Sequence, residues 1–146
     1  MDIRELSIAH IDAIKKLMLD IFSKEPWNDA WTDEQLQLYV SELTDNKNSL
    51  SFGLFENDNM IGMALGHVKH WYEGTEYWID EFGILPERQR CGMGTKFLAG
   101  IEKALADKGI VYIALLTERT VPAYHFYKRN GFGEKEETSF FVKRVY

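Results

Sequence analysis

The segment Gln89-Arg90-Cys91-Gly92-Met93-Gly94-Thr95 constrains the fold of this chain more than any other stretch. Upstream, Thr75 to Leu85 reads as a long strand, and Pro86 halts it because its missing N–H cannot continue a ladder. Downstream, Phe97, Leu98, Ile101 and Leu105 recur at helical spacing, with Gly109 as the stop. A strand that ends, passes through two glycines and opens a helix is suited to holding an anion. The glycines let main-chain N–H groups turn inward, and the first helical turn adds unpaired donors and a positive dipole end. Arg88 and Arg90 bring charge to the same place. The segment lacks the G-K-[ST] of a P-loop and the third glycine of a dinucleotide fold, so the expected guest is the pyrophosphate of another cofactor.

The remaining pattern predicts a mixed fold. Asp2 to Glu5 reads as a first strand, and Ser7 caps a helix whose apolar face is Ile8, Ile11, Ile14, Met18, Ile21 and Phe22. Thr32-Asp33-Glu34-Gln35 is a capping box opening a second helix, with Leu36, Tyr39, Val40 and Leu43 on one face. Leu50, Phe52 and Leu54 alternate, as do Ile61, Met63 and Leu65, with Asn57-Asp58-Asn59 as the hairpin turn between them. Ile110 to Leu116 is a continuous apolar run, expected as a central strand buried on both faces. Pro122 and Asn130-Gly131 bracket a short helix, Ala123 to Arg129, and Phe132 to Glu137 and Ser139 to Val145 read as two closing strands. The class expected is α/β in the α+β sense, as one domain spanning residues 1–146.

Composition narrows the function classes. The net charge of −6, from 17 basic and 23 acidic residues, argues against a nucleic-acid partner and favours a cationic one. No apolar run approaches the roughly 20 residues of a membrane span, and Met1-Asp2-Ile3-Arg4 leads straight into amphipathic sequence, so no membrane association and a cytoplasmic location are expected. A single cysteine, Cys91, excludes an internal disulfide and a cysteine-cluster metal site. His67 and His70, three apart on a strand, point to opposite faces, and no metal is expected.

Two motifs together carry a family resemblance. Gln89-x-x-Gly92-x-Gly94, entered through Leu85-Pro86, resembles the Q/R-x-x-G-x-G/A signature of the GNAT superfamily of acyl-CoA-dependent N-acetyltransferases. Ala123-x-x-Phe126-Tyr127-Lys128-x-Asn130-Gly131-Phe132 resembles that family's A-x-x-F/L-Y-x-K-x-G-F helix and following strand, and the order of elements agrees over nearly the whole chain. The resemblance implies a mixed, mostly antiparallel sheet of six to seven strands flanked by about four helices, with strands four and five splayed around acetyl-CoA. It implies that main-chain amides of Gln89, Arg90, Cys91, Gly92, Met93, Gly94 and Thr95 hold the CoA pyrophosphate, and that Phe82, Gly83 and Ile84 meet the pantetheine arm. An asparagine that commonly contacts pantetheine is replaced by Thr120. Tyr127 is implied as the acid that protonates the departing thiolate, and members of the family are often homodimers.

An alkyl amine arrives as ammonium, so a base must take its proton before it attacks a thioester. Asp80 and Glu81 precede the cofactor segment, and strict alternation sends them to opposite faces. Asp80 is favoured, on the face expected to hold Trp78 and Phe82, because it aligns with acidic residues of the family; Glu81 or a water chain is the alternative. The backbone near Ile84 is expected to offer an N–H to the oxyanion. Cys91 is not read as a nucleophile, since it lies in the pyrophosphate loop with no local histidine motif. For the acceptor, Trp27, Trp31, Trp71, Tyr72, Glu76 and Asp80, with Glu25, Asp29 and Glu73, combine aromatic walls with carboxylates, a pairing suited to a polyamine or amino sugar. The run from Trp71 to Glu87 also resembles aminoglycoside 6′-N-acetyltransferases. Acetylation of a protein N-terminus or lysine, and a non-catalytic acyl-CoA sensor, are the competing readings.

Overall fold

A computed structural model describes all residues, Met1–Tyr146. They divide into two compact units, Met1–Leu116 and Thr117–Tyr146, taken in turn.

The first unit is one five-stranded sheet in the order β1-β2-β3-β4-β5, comprising β1 (Asp2–Glu5), β2 (Ser49–Glu56), β3 (Asn59–Trp71), β4 (Gly74–Ile84) and β5 (Tyr112–Leu115). The first four strands pair antiparallel and β4 pairs parallel with β5. Helices α1 (Ile11–Phe22) and α2 (Asp33–Thr44) cover one face, and α3 (Met93–Asp107) covers the other. Alternation along the strands explains the two layers. Met63 and Leu65 of β3 pack with Ile14, Met18, Leu36 and Val40, whereas Ala64 packs with Tyr77, Phe97 and Ile101.

Both helix starts expected on the first face are capped by side chains. Ser7 caps a 3-10 turn, Ile8–His10, that leads into α1, and Thr32 and Gln35 form the capping box of α2. The second unit contains α4 (Pro122–Arg129), followed by Glu134, which accepts from Arg119 and Tyr124 and pairs with Lys128.

Two expectations about strands are corrected. The sheet has five strands rather than six to seven, since the residues from Phe132 onward form none. Alternating apolar residues license a strand only where a ladder partner exists, and here Phe141, Val142 and Val145 stay exposed. β5 is an edge strand rather than a central one, with Tyr112 about half exposed and Leu116, just past its end, exposed. A continuous apolar run does not by itself distinguish the two positions.

Candidate active site

The site is organised by a bulge in the β3–β4 ladder. Leu65 pairs with Glu81 but Gly66 pairs with Ile79, so Asp80 is the extra residue on β4. Gly66 makes this possible, since a Cβ there would lie 2.1 Å from the Trp78 carbonyl oxygen. Its N–H is taken up by the buried Ser51, whose Oγ accepts it at 3.2 Å and donates to the Leu43 carbonyl at 2.8 Å. A buried hydroxyl thus satisfies two main-chain groups beside the irregularity.

The bulge overturns the expectation that Asp80 and Glu81 face opposite ways. Glu81 stands opposite Leu65 and accepts from the Tyr39 hydroxyl of α2 at 3.3 Å. His67, two residues beyond Leu65, shares that face, and its Nδ1 lies 2.7 Å from Asp80 Oδ2. Both carboxylates therefore point to the α1–α2 side. Phe82, expected beside Asp80, packs on the other face against Phe97 of α3. Trp78 does share Asp80's face, stacked on the His67 ring at 13° and donating Nε1–H to Glu76 at 3.0 Å.

Burial sets the electrostatics. Loss of solvent, together with the charges of Asp29 and Asp80, pushes the Glu81 carboxyl up to about 7 against the lowering effect of the Tyr39 hydrogen bond. Burial and the neighbouring Glu81 carboxylate push the Tyr39 phenol well above its ordinary value. Trp31 stacks on Tyr39 at 5.2 Å, with its buried Nε1–H unpaired.

Not every expected acceptor residue gathers here. Trp27 sits edge-on against Phe22. Trp71 and Tyr72 lie at the β3–β4 hairpin tip, six strand residues from Asp80 counting from Gly74, roughly 20 Å. The ammonium of Lys69 lies 5.1 Å from the Trp78 ring and 5.8 Å from that of Trp71, filling the aromatic wall with a cation of the chain's own. Tyr39, His67 and Lys69 were not singled out as site residues. Their contacts with Glu81, Asp80 and Trp78 come from other elements, and no local motif marks them.

The anion segment follows β4 directly. β4–β5 pairing ends at Ile79–Leu115, while β4 runs on to Ile84, leaving the edge from Asp80 to Ile84 without a β5 partner. β5 ends at that last pair, at Leu115, so β4 outruns it by five residues. Gly83 lies close under α1, where a Cβ would meet Ile21 at 3.0 Å. Past the 3-10 turn Pro86–Arg88, Arg90 and Gly92 adopt left-handed conformations, φ 64° and 79°. Met93, Gly94 and Thr95 then present the opening N–H groups of the 15-residue α3, and the first to find a main-chain acceptor is Lys96, at Gly92.

Two residues of the segment are otherwise engaged. Gln89 spends its N–H on the Pro86 carbonyl and its side chain on the Ile84 carbonyl at 2.8 Å, so it braces the loop. Arg88 is paired with Glu56, leaving Arg90 as the arginine of the segment without an acidic partner. Cys91 is exposed, its thiol directed at the Arg88 carbonyl. In the second unit Thr120 lies in an exposed turn before α4, and Tyr127 is buried edge-on to Phe126 and Phe132.

No curated protein matches the chain. Among solved structures it is similar to the aminoglycoside acetyltransferase AAC(6′)-Iy in complex with a bisubstrate analog, CoA-S-monomethyl-acetylneamine, at 21% identity and a TM-score of 0.76, covering 99% of this chain and 98% of that one. A second is an aminoglycoside acetyltransferase from an uncultured soil metagenomic sample in complex with sisomicin, at 17% identity, TM-score 0.78 and coverage of 99% and 96%. A third is the aminoglycoside 6′-N-acetyltransferase AAC(6′)-IG from Acinetobacter haemolyticus, at 18%, 0.76 and 99% of both chains. At these identities the likeness establishes a shared fold. Residues 11–132, most of the chain, match the model of the Acetyltransferase (GNAT) family, and the protein therefore belongs to the GNAT acetyltransferases, which use acetyl-CoA as acetyl donor.

Proposed function

We propose that this acetyltransferase transfers the acetyl group to a primary amine of a small cationic acceptor of the aminoglycoside or polyamine kind. The observation that carries the reading is the β4 bulge, which turns Asp80 and Glu81 onto one face. Two carboxylates near one aromatic wall, Trp31 on Tyr39, in a chain of net negative charge, suit a cationic acceptor. Proteins of the same fold solved with neamine-derived and sisomicin ligands are consistent with it.

Acetyl-CoA supplies the thioester carbonyl that the amine attacks. The turned backbone from Arg90 to Gly92 and the opening N–H groups of α3 fit its pyrophosphate, and the unpaired β4 edge from Asp80 to Ile84 offers main-chain groups to the pantetheine amides. Asp80 takes the ammonium proton, and the bare nitrogen attacks while the C–S bond breaks. A main-chain N–H of the unpaired β4 edge near Ile84 receives the developing oxyanion. Tyr127, assigned by its motif, gives its proton to the thiolate, and the second proton shed by the nitrogen as the amide forms restores the phenol. Asp80→Asn is expected to lower kcat about a hundredfold with acetyl-CoA affinity unchanged. Tyr127→Phe lowers kcat about tenfold in the same way, both read by steady-state kinetics and acetyl-CoA titration.

The deciding experiment follows CoA release with acetyl-CoA over a panel of aminoglycosides, polyamines and amino-terminal or lysine peptides. Turnover on the small cations supports the reading. A peptide-only profile makes the protein a peptide acetyltransferase, and acetyl-CoA binding with no turnover on any amine makes it a sensor.

A further inference from the structure

His67 is not part of either family motif, yet it makes the one side-chain contact that fixes Asp80. Its Nδ1 lies 2.7 Å from Asp80 Oδ2, a charge-assisted distance, across the antiparallel ladder. The His67 ring is held on its own account, stacked at 13° on Trp78, its register partner. An extra residue in a strand has no ladder position to orient its side chain, so Asp80 depends on a neighbour for its direction. His67 supplies that neighbour from β3, with the ring plane set by Trp78.

We propose that His67 is a positioning residue for the acetyl transfer: its Nδ1–H holds one oxygen of Asp80 and leaves the other, Oδ1, to accept the proton of the acceptor amine. The inference rests on the reading of Asp80 as proton acceptor. The proton passes from ammonium nitrogen to Oδ1, and His67 keeps its Nδ1–H throughout. The hydrogen bond also sets the ring's orientation, with Nδ1–H toward Asp80 and Nε2 away from it.

The test separates the hydrogen bond from the packing of the ring. His67→Phe keeps a ring against Trp78 and removes the donor; His67→Gln keeps an amide donor and removes the ring. Positioning predicts that His67→Phe lowers kcat about tenfold or more at unchanged KM for acetyl-CoA, and that His67→Gln retains most of the rate. It also predicts that His67→Phe costs little further in an Asp80→Asn background, because the two act as one unit. Wild-type rates in His67→Phe, a larger loss in His67→Gln than in His67→Phe, or additive losses in the double variant overturn the proposal.

Nitrogen NMR of the His67 imidazole provides a readout independent of turnover. The Nδ1–H tautomer, with a resonance that shifts in Asp80→Asn, is expected; an Nε2–H tautomer or a resonance indifferent to Asp80→Asn overturns the proposal. If wild type acetylates no amine, the proposed function falls, and the imidazole spectrum still decides whether His67 holds Asp80.

Discussion

The stretch from Trp78 to Ile84 and the segment from Arg88 to Thr95 are neighbours in sequence and differ in how their geometry is fixed. The anion segment is local. Its turn needs two left-handed residues, Arg90 and Gly92, and a helix start, and a Cβ at Gly92 would meet nothing within 4 Å. The bulge is distributed. Asp80 is turned by the absence of a side chain at Gly66, an N–H satisfied by Ser51, and a ring on His67, none of them on β4. A local device tolerates changes around it, whereas a distributed one fails when any distant support is removed.

Gly66→Val is the strongest way to break that contrast. Its Cβ cannot share space with the Trp78 carbonyl, so the ladder must shift and both carboxylates lose their direction. The expected result is a loss of stability of about 1–3 kcal/mol. Activity falls by a factor on the order of a hundred in protein that still gives a folded circular-dichroism spectrum. Retained activity would mean that the bulge does not organise the site.

Gly92→Ala tests the other region and should act more narrowly. The space is open but φ 79° is costly for a side chain, by about 1–2 kcal/mol. Weaker acetyl-CoA binding by about tenfold, with kcat on saturating cofactor little changed, is expected from titration and steady-state kinetics. A fall in kcat alone would show that the loop and the bulge are not separable.

Glu81→Gln sharpens the comparison through stability. Burial pushes the Glu81 carboxyl from its ordinary 4.5 up to about 7 in the folded protein, so the native state binds the extra proton. Its contribution is full below about 4.5 and is lost as pH rises through about 7. Wild type should therefore lose melting temperature relative to Glu81→Gln across that window and run parallel to it above. A difference that does not vary with pH would mean that burial does not raise Glu81.

The anion segment was legible because its signals are contiguous: a proline stop, spaced glycines and a helical apolar stripe lie within Leu85 to Leu105. Even there, the inward turn of Gln89 and the pairing of Arg88 with Glu56 were not, since their partners, the Ile84 carbonyl and a carboxylate on β2, are matters of packing. The acceptor side was less legible. Trp71 and Tyr72 are close to Glu76 in sequence yet sit out at a hairpin tip, while Tyr39 of α2 reaches Glu81 from 42 residues away.

By itself, the sequence determined the helices, the hairpins, the stop at Pro86 and the glycine turn that opens α3, because each follows from propensities and periodicities within a dozen residues. The direction of Asp80 and Glu81 was decided only in the tertiary structure. Alternation assigns faces as long as a ladder is regular, and whether it breaks depends on Gly66 and Ser51, which meet β4 only when the sheet assembles. The closing strands follow the same logic in reverse: alternation suggested them, and without a ladder partner they did not form.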